Sequence, residues 1–275
     1  MTTEFTCIRY DVIDPGDEGI ARVTLDRPAS RNAQNKRMTY EMNAAFDDAS
    51  RRSDVKVIVL DATGPHFSSG HDMRDTESFR EFDIVQPVGG FGREGQEGQM
   101  AFEEELYFGM CWRWRNLPKP LIAAAQGKTI AGGLMLLWVA DIIIAADDAL
   151  FSDPVVGFGV NGVEYFAHPW EWGARKAKEL LFTGDWVTAA EAKALGMVNH
   201  VVPADELHDF ALAMAARIAK RPSFALKLAK ESVNQTLEAQ GQYTALRSAF
   251  SIQHLAHAHN RAKYGMPVEP PAKKA

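Results

Sequence analysis

Ile8, Tyr10 and Val12 alternate with polar residues, and Ala21, Val23 and Leu25 repeat the alternation after the turn residues Pro15-Gly16-Asp17. Period-two patterning of this kind predicts two half-buried strands joined as a hairpin. Met38, Met42, Ala45, Phe46 and Ala49 then recur at helical spacing, and the short β-branched run Val55–Leu60 reads as a buried parallel strand. The same order continues with a buried strand at Leu121–Ala125, an apolar helix at Gly132–Val139 and a further strand at Ile142–Ala145. Strands separated by helices predict an α/β fold with a parallel sheet covered on both faces. Beyond about residue 170 the pattern is helix after helix: Ala174–Phe182, a helix opened by the capping box Thr188-Ala-Ala-Glu191, then Ala204–Lys220, Phe224–Gln240 and Tyr243–Lys263. No linker divides the chain, so residues 1–200 read as the core and 201–275 as a helical region that folds back or packs on a neighbouring subunit. The tail Pro267–Ala275 reads as a solvated extension.

Composition narrows the classes. Of 275 residues, 46% are hydrophobic and 24% charged, which excludes disorder and collagen-like repeats. The formal charge of −6 gives no general attraction for nucleic acid or an anionic membrane. Cys7 and Cys111 stand far apart and are expected to be reduced. The polar, acidic start MTTEFTCIRYDVID carries no export signal, and the longest apolar stretch, Ile130–Ala140, is too short to cross a bilayer. The expectation is a soluble, cytoplasmic protein.

Two segments carry candidate chemistry. Phe67-Ser68-Ser69-Gly70-His71-Asp72-Met73 follows the strand ending at Leu60, and strand C-terminal ends are where open α/β sheets bind ligands. Ala131-Gly132-Gly133-Leu134 lies between a strand and an apolar helix, where glycines admit close backbone approach and the helix start presents unpaired N–H groups. Two backbone donors converging on one oxygen form an oxyanion hole; tight turns and close packing are the plainer explanation for either segment alone.

Together, in this order and spacing, the segments resemble the crotonase, or enoyl-CoA hydratase/isomerase, superfamily. The resemblance covers Ile20–Pro28 with Asn32, Val57–Leu60, Phe67–Asp72, Lys119-Pro120, Gln126-Gly127, Gly132-Gly133, Asp141-Ile142, Phe151, Phe182-Thr-Gly184 and Ala190 through Val201. It implies a spiral core of repeated ββα turns over residues 1–200, with a C-terminal helical trimerisation region. It also implies a homotrimer or dimer of trimers, and a site for an acyl-CoA thioester with no cofactor beyond the coenzyme A of the substrate. Carried onto this chain, the oxyanion donors are the N–H groups of His71 and Gly132, with Ser69, Gly70, Asp72 and Gly133 around them. An enolate accumulates charge on its oxygen, and fixed donors stabilise that charge without reorganisation. This assigns the His71 backbone; its imidazole is left to face the ligand's phosphates or ribose, or solvent.

The family's hydratases hold water between two glutamates, and those positions here are Met135 and Val155, neither of which moves a proton. Glu164 is the preferred acid/base, since burial beside Phe158, Tyr165, Phe166 and Trp170 is expected to raise its pKa toward neutrality. A dipole-complementing helix start or a salt bridge to Arg175 are the competing roles. Asp153 is the second candidate, although Ser-Asp-Pro also reads as a turn. One carboxylate suits double-bond isomerisation or activation of one water for addition or hydrolysis, so the alternatives are a crotonase-fold isomerase or hydrolase using Glu164 and, of a different class, an acyl-CoA-binding protein without turnover.

Arg27, Arg31 and Lys36 are the candidates for coenzyme A phosphates. Gly90-Phe-Gly-Arg-Glu-Gly95 matches a dinucleotide motif literally, but no strand precedes it, so residues 75–99 read as a loop over the site. Phe108, Trp112 and Trp114 follow at spacings that suit a pocket wall or the core. His254, His257 and His259 share one helix with no carboxylate or cysteine nearby to complete a metal site, so no metal is expected.

Overall fold

A computed structural model describes residues 5–14, 16 and 18–270; the turn residues Pro15 and Asp17 and the last five residues of the tail lie outside the described residues. The chain runs β1 (Ile8–Ile13), β2 (Ile20–Leu25), α1 (Lys36–Arg51), β3 (Val57–Ala62) and α2 (Gly95–Glu103). A π-helical turn, Glu104–Gly109, joins α2 to α3 (Met110–Arg115). Next come β4 (Leu121–Ala125), β5 (Lys128–Ile130), α4 (Gly132–Trp138), β6 (Ile142–Ala146), β7 (Leu150–Ser152), α5 (His168–Trp172) and α6 (Ala174–Thr183). The remainder is β8 (Val187–Thr188), α7 (Ala189–Leu195), β9 (His200–Val202), α8 (Leu207–Ala219), α9 (Ser223–Ala239) and α10 (Gln242–Tyr264).

The main sheet has the order β1-β2-β3-β4-β6-β9, with β1 antiparallel to β2 and every later pair parallel. Alternation along the strands divides the core. Ile58, Leu60, Leu121, Ala123 and Ala125 face α1, α3 and α4, whereas Val57, Val59, Ile122, Ala124 and Ile144 face Leu207, Ala211, Met214 and Ala215 of α8. Both faces are therefore covered, as the continuous apolar runs require. A second sheet, β5-β7-β8, leads the chain through β5 into α4, which hands it back to β6 of the main sheet.

Three expectations change. The region after residue 170 is interrupted by β8 and β9, and β9 closes the edge of the main sheet; strands this short carry no readable alternation. Strand β3 begins at Val57 and runs past Leu60 to include Asp61, a buried charge made tolerable by Arg22 at 2.6 Å and His208 at 3.1 Å. The start of the tail is held: His257 Nδ1 donates to the Pro267 carbonyl and Glu269 N–H to the Phe158 carbonyl, each at 2.7 Å. Cys7 and Cys111 are free and buried, and no described helix is long and apolar enough to cross a membrane.

Candidate active site

Strand β3 delivers residues 67–72 as an extended strip wedged between two neighbours. On one side Gln34 N–H donates to the Gly70 carbonyl at 2.8 Å and Asp72 N–H to the Gln34 carbonyl at 2.9 Å. On the other, Ile130 N–H donates to the Ser68 carbonyl at 3.0 Å. In such parallel pairing the residue between the two bonded groups points its own N–H the opposite way. The His71 N–H therefore turns from Gln34 toward the start of α4. Gly70, at φ +88°, permits the approach: a Cβ there would stand 2.8 Å from the Ile130 carbonyl oxygen and 3.2 Å from the Gly132 nitrogen. A Cβ on Gly133 would meet the Ser68 carbonyl at 2.7 Å. Ala131 holds a positive φ of 47°, a strained backbone for alanine, pinned by its N–H to the Ser152 carbonyl at 2.9 Å. Among the described residues, neither the His71 nor the Gly132 N–H donates to a protein acceptor.

The His71 imidazole is turned inward, to a partner the sequence did not reveal. Its ring stacks on Tyr107 with centroids 3.7 Å apart at 17°, and a Cβ on Gly132 would lie 2.5 Å from its Cε1. Nε2 donates to Glu164 Oε2 at 2.9 Å, and Nδ1 is buried with no hydrogen-bond partner among the described residues. The second Glu164 oxygen accepts from Gln253 Nε2 of α10 at 3.1 Å. Arg175 takes no part.

Electrostatics reverse one expectation. Burial does oppose ionisation of Glu164, but the charge and hydrogen bond of His71 outweigh it and hold the carboxyl below its ordinary range. Burial likewise opposes the imidazolium, and Glu164 outweighs it, so His71 binds its proton more tightly than a free histidine. The pair is poised on the imidazole. Burial, reinforced by the charges of Glu164 and Glu103, keeps the Tyr107 phenol protonated.

Asp153 is fully engaged: Oδ2 accepts from His168 Nε2 at 2.7 Å and from Val163 N–H at 3.2 Å, and Oδ1 from Val155 N–H at 3.4 Å. It clasps the segment that carries Glu164. Met135 is buried, its sulfur accepting the Tyr165 N–H at 3.3 Å; Val155 is half-buried. Phe158 is 47% exposed instead of covering Glu164. Phe108 and Trp114 are core, and Trp112 is half-buried against Tyr243.

Among the basic candidates, Arg27 pairs with Asp72 at 2.9 Å and Lys36 with Asp75 at 2.8 Å, which leaves Arg31 exposed and without an ion pair among the described residues. Ser69 Oγ donates to the Ser30 carbonyl at 3.4 Å. The Gly90–Gly95 motif lies in a loop that becomes α2, and the preceding segment is pinned where Val85 and Gln86 N–H groups donate to buried Glu105 at 2.6 and 3.0 Å. Glu103 supplies the carboxylate that His254 and His257 lacked in sequence, 3.3 and 3.4 Å from their Nε2 atoms. Even so, among the described residues no group of three such side chains is arranged to hold a metal.

Residues 16–268 match the family model described as enoyl-CoA hydratase/isomerase. EchA13 of Mycobacterium tuberculosis is 48% identical over 93% of this chain and 82% of its own length. A solved structure from Mycobacterium thermoresistibile, named a probable enoyl-CoA hydratase, is 48% identical with a TM-score of 0.84, covering 94% of this chain and 99% of that one. An enoyl-CoA hydratase/isomerase from Xanthobacter autotrophicus Py2 is 32% identical with a TM-score of 0.79, covering 95% of each chain. The chain belongs to the crotonase superfamily and, within it, to the enoyl-CoA hydratase/isomerase family.

Proposed function

We propose that this protein acts on an acyl-CoA thioester by moving a proton at carbon, through an enolate whose oxygen is held by the His71 and Gly132 N–H groups, with His71 and Glu164 as the acid/base pair. The observation that carries the reading is the buried 2.9 Å contact between His71 Nε2 and Glu164 Oε2 beside those two main-chain donors. With Nε2–H committed to the carboxylate, Nδ1 is the nitrogen that accepts a proton, and Glu164 stabilises the imidazolium that results. Charge then builds on the thioester oxygen, where one well-placed donor is worth about 3–4 kcal/mol in a well-studied hydrolase. In hydration, water adding at the β-carbon gives its proton to Nδ1, and the imidazolium returns one to the α-carbon. We place hydration of a 2-enoyl thioester ahead of isomerisation on the names of the relatives. The family's usual glutamate pair is replaced, in this reading, by one histidine–carboxylate pair, with Met135 and Val155 as packing. Exposed Arg31 is the phosphate contact, and assembly into trimers or pairs of trimers belongs to the same proposal.

The test is turnover of a panel of saturated, unsaturated and aromatic acyl-CoAs by wild type and Glu164→Gln, with calorimetric binding alongside. Wild type is expected to turn over an unsaturated member, and Glu164→Gln to retain binding while losing about 10²–10⁴-fold in kcat. Turnover that survives the substitution removes the acid/base assignment. Binding without turnover in both proteins replaces the enzyme with an acyl-CoA-binding protein.

A further inference from the structure

Gln253 reaches the site from α10, on the buried face it shares with Leu246 and Phe250, and is 3% exposed. Its Nε2 donates to Glu164 Oε1 at 3.1 Å while His71 Nε2 donates to Oε2 at 2.9 Å, so each carboxylate oxygen has its own donor. A carboxylate only accepts, which fixes the amide with its NH2 toward Glu164. Gln253 Oε1 is buried and, among the described residues, meets no donor.

We infer that Gln253 is a positioning residue for the acid/base pair: it occupies Glu164 Oε1, leaves Oε2 to His71, and draws off part of the carboxylate charge that would otherwise fall on the imidazole. The inference rests on the reading of His71 and Glu164 as that pair. The last helix of the chain thereby sets how tightly His71 holds its proton. Other titratable groups facing the pair are Tyr107, stacked on His71, with Glu103 of α2, Cys111 of α3, Asp153, and His254 and His257 of α10. A nearly isosteric, apolar Gln253→Met leaves all of them in place.

The experiment is a pH titration of the His71 imidazole by nuclear magnetic resonance in the full chain, the signal assigned by its loss in His71→Asn. Gln253→Met is expected to move the titration upward by about one pH unit, since the undivided carboxylate charge favours the imidazolium. In a Glu164→Gln background the same substitution is expected to leave the titration where it is, because the amide acts only through the carboxylate. No shift in the first background, or equal shifts in both, overturns the inference. Gln253→Leu carries the same test if the methionine variant folds poorly. The titration needs no substrate, so its outcome is separate from the turnover experiment; where wild type turns over, the acid limb of kcat/KM follows the titration.

Discussion

Replacing Glu164 by glutamine removes one partner from a buried pair, and the structure sets both the size and the pH window of the loss. Breaking a buried pair costs about 3–5 kcal/mol when the remaining charge is trapped. His71 is able to release its proton, so the cost falls to that of a poorly matched buried polar group, about 1–3 kcal/mol. The window follows from the two shifts. The raised pKa of His71 contributes stability fully present below its ordinary value of 6.5 and lost as pH rises through the folded value. The lowered pKa of Glu164 contributes stability present above its ordinary value of 4.5 and lost as pH falls through the folded value. The pair therefore stabilises most between pH 4.5 and 6.5. Urea denaturation of wild type and Glu164→Gln at pH 5.5 and pH 9 measures this. The difference between the proteins is expected to be largest at pH 5.5 and to shrink at pH 9. An equal difference at both values would falsify the ion-pair account and leave only a shape effect.

Gly132→Ala places a Cβ 2.5 Å from a His71 ring that Tyr107 and Glu164 hold fixed; kcat for the acyl-CoA turned over by wild type is expected to fall by about 10²-fold or more, with the fold retained by circular dichroism. Thr188→Ala removes a capping box in which Thr188 Oγ1 accepts the Glu191 N–H at 3.2 Å, and a loss of about 1 kcal/mol in chemical denaturation, with no change in turnover, is expected. Glu171 has no partner among the described residues, and burial pushes its carboxyl up to about 8, so folding grows weaker as pH rises from 4.5 toward 8. Glu171→Gln is expected to gain about 1–3 kcal/mol over wild type at pH 8, allowing for the part of the side chain that water reaches, and to show no gain at pH 4.5.

Much of the frame was legible because it rests on one-dimensional signals. The β1–β2 alternation, the α1 stripe of Met38, Met42 and Phe46, the buried runs of β3, β4 and β6, and the Thr188 capping box each announce themselves within a few residues. The two glycine segments were readable for the same reason, since close backbone approach demands glycine at fixed places. What stayed hidden depends on tertiary pairing. His71 and Glu164 are far apart in the chain, and the motif around His71 constrains its backbone alone. Gln253, His254, His257 and Asn260 fall on the buried face of α10 with Leu246 and Phe250. That run of polar residues on an apolar stripe was a signal available in the sequence, although their partners on other elements were not. The direction of the Glu164 shift failed for a related reason: apolar neighbours were visible as residue types, and the imidazole that outweighs them was not.

The most direct trial of the account is exchange of the α-hydrogen of a bound saturated acyl-CoA in heavy water, followed by mass spectrometry, because it reports enolate formation whichever reaction the protein completes. Deuterium is expected at the α-carbon with wild type, and a rate lower by about 10²-fold or more with Glu164→Gln. Tight binding of the thioester by wild type without any incorporation would contradict the claim that this site stabilises an enolate.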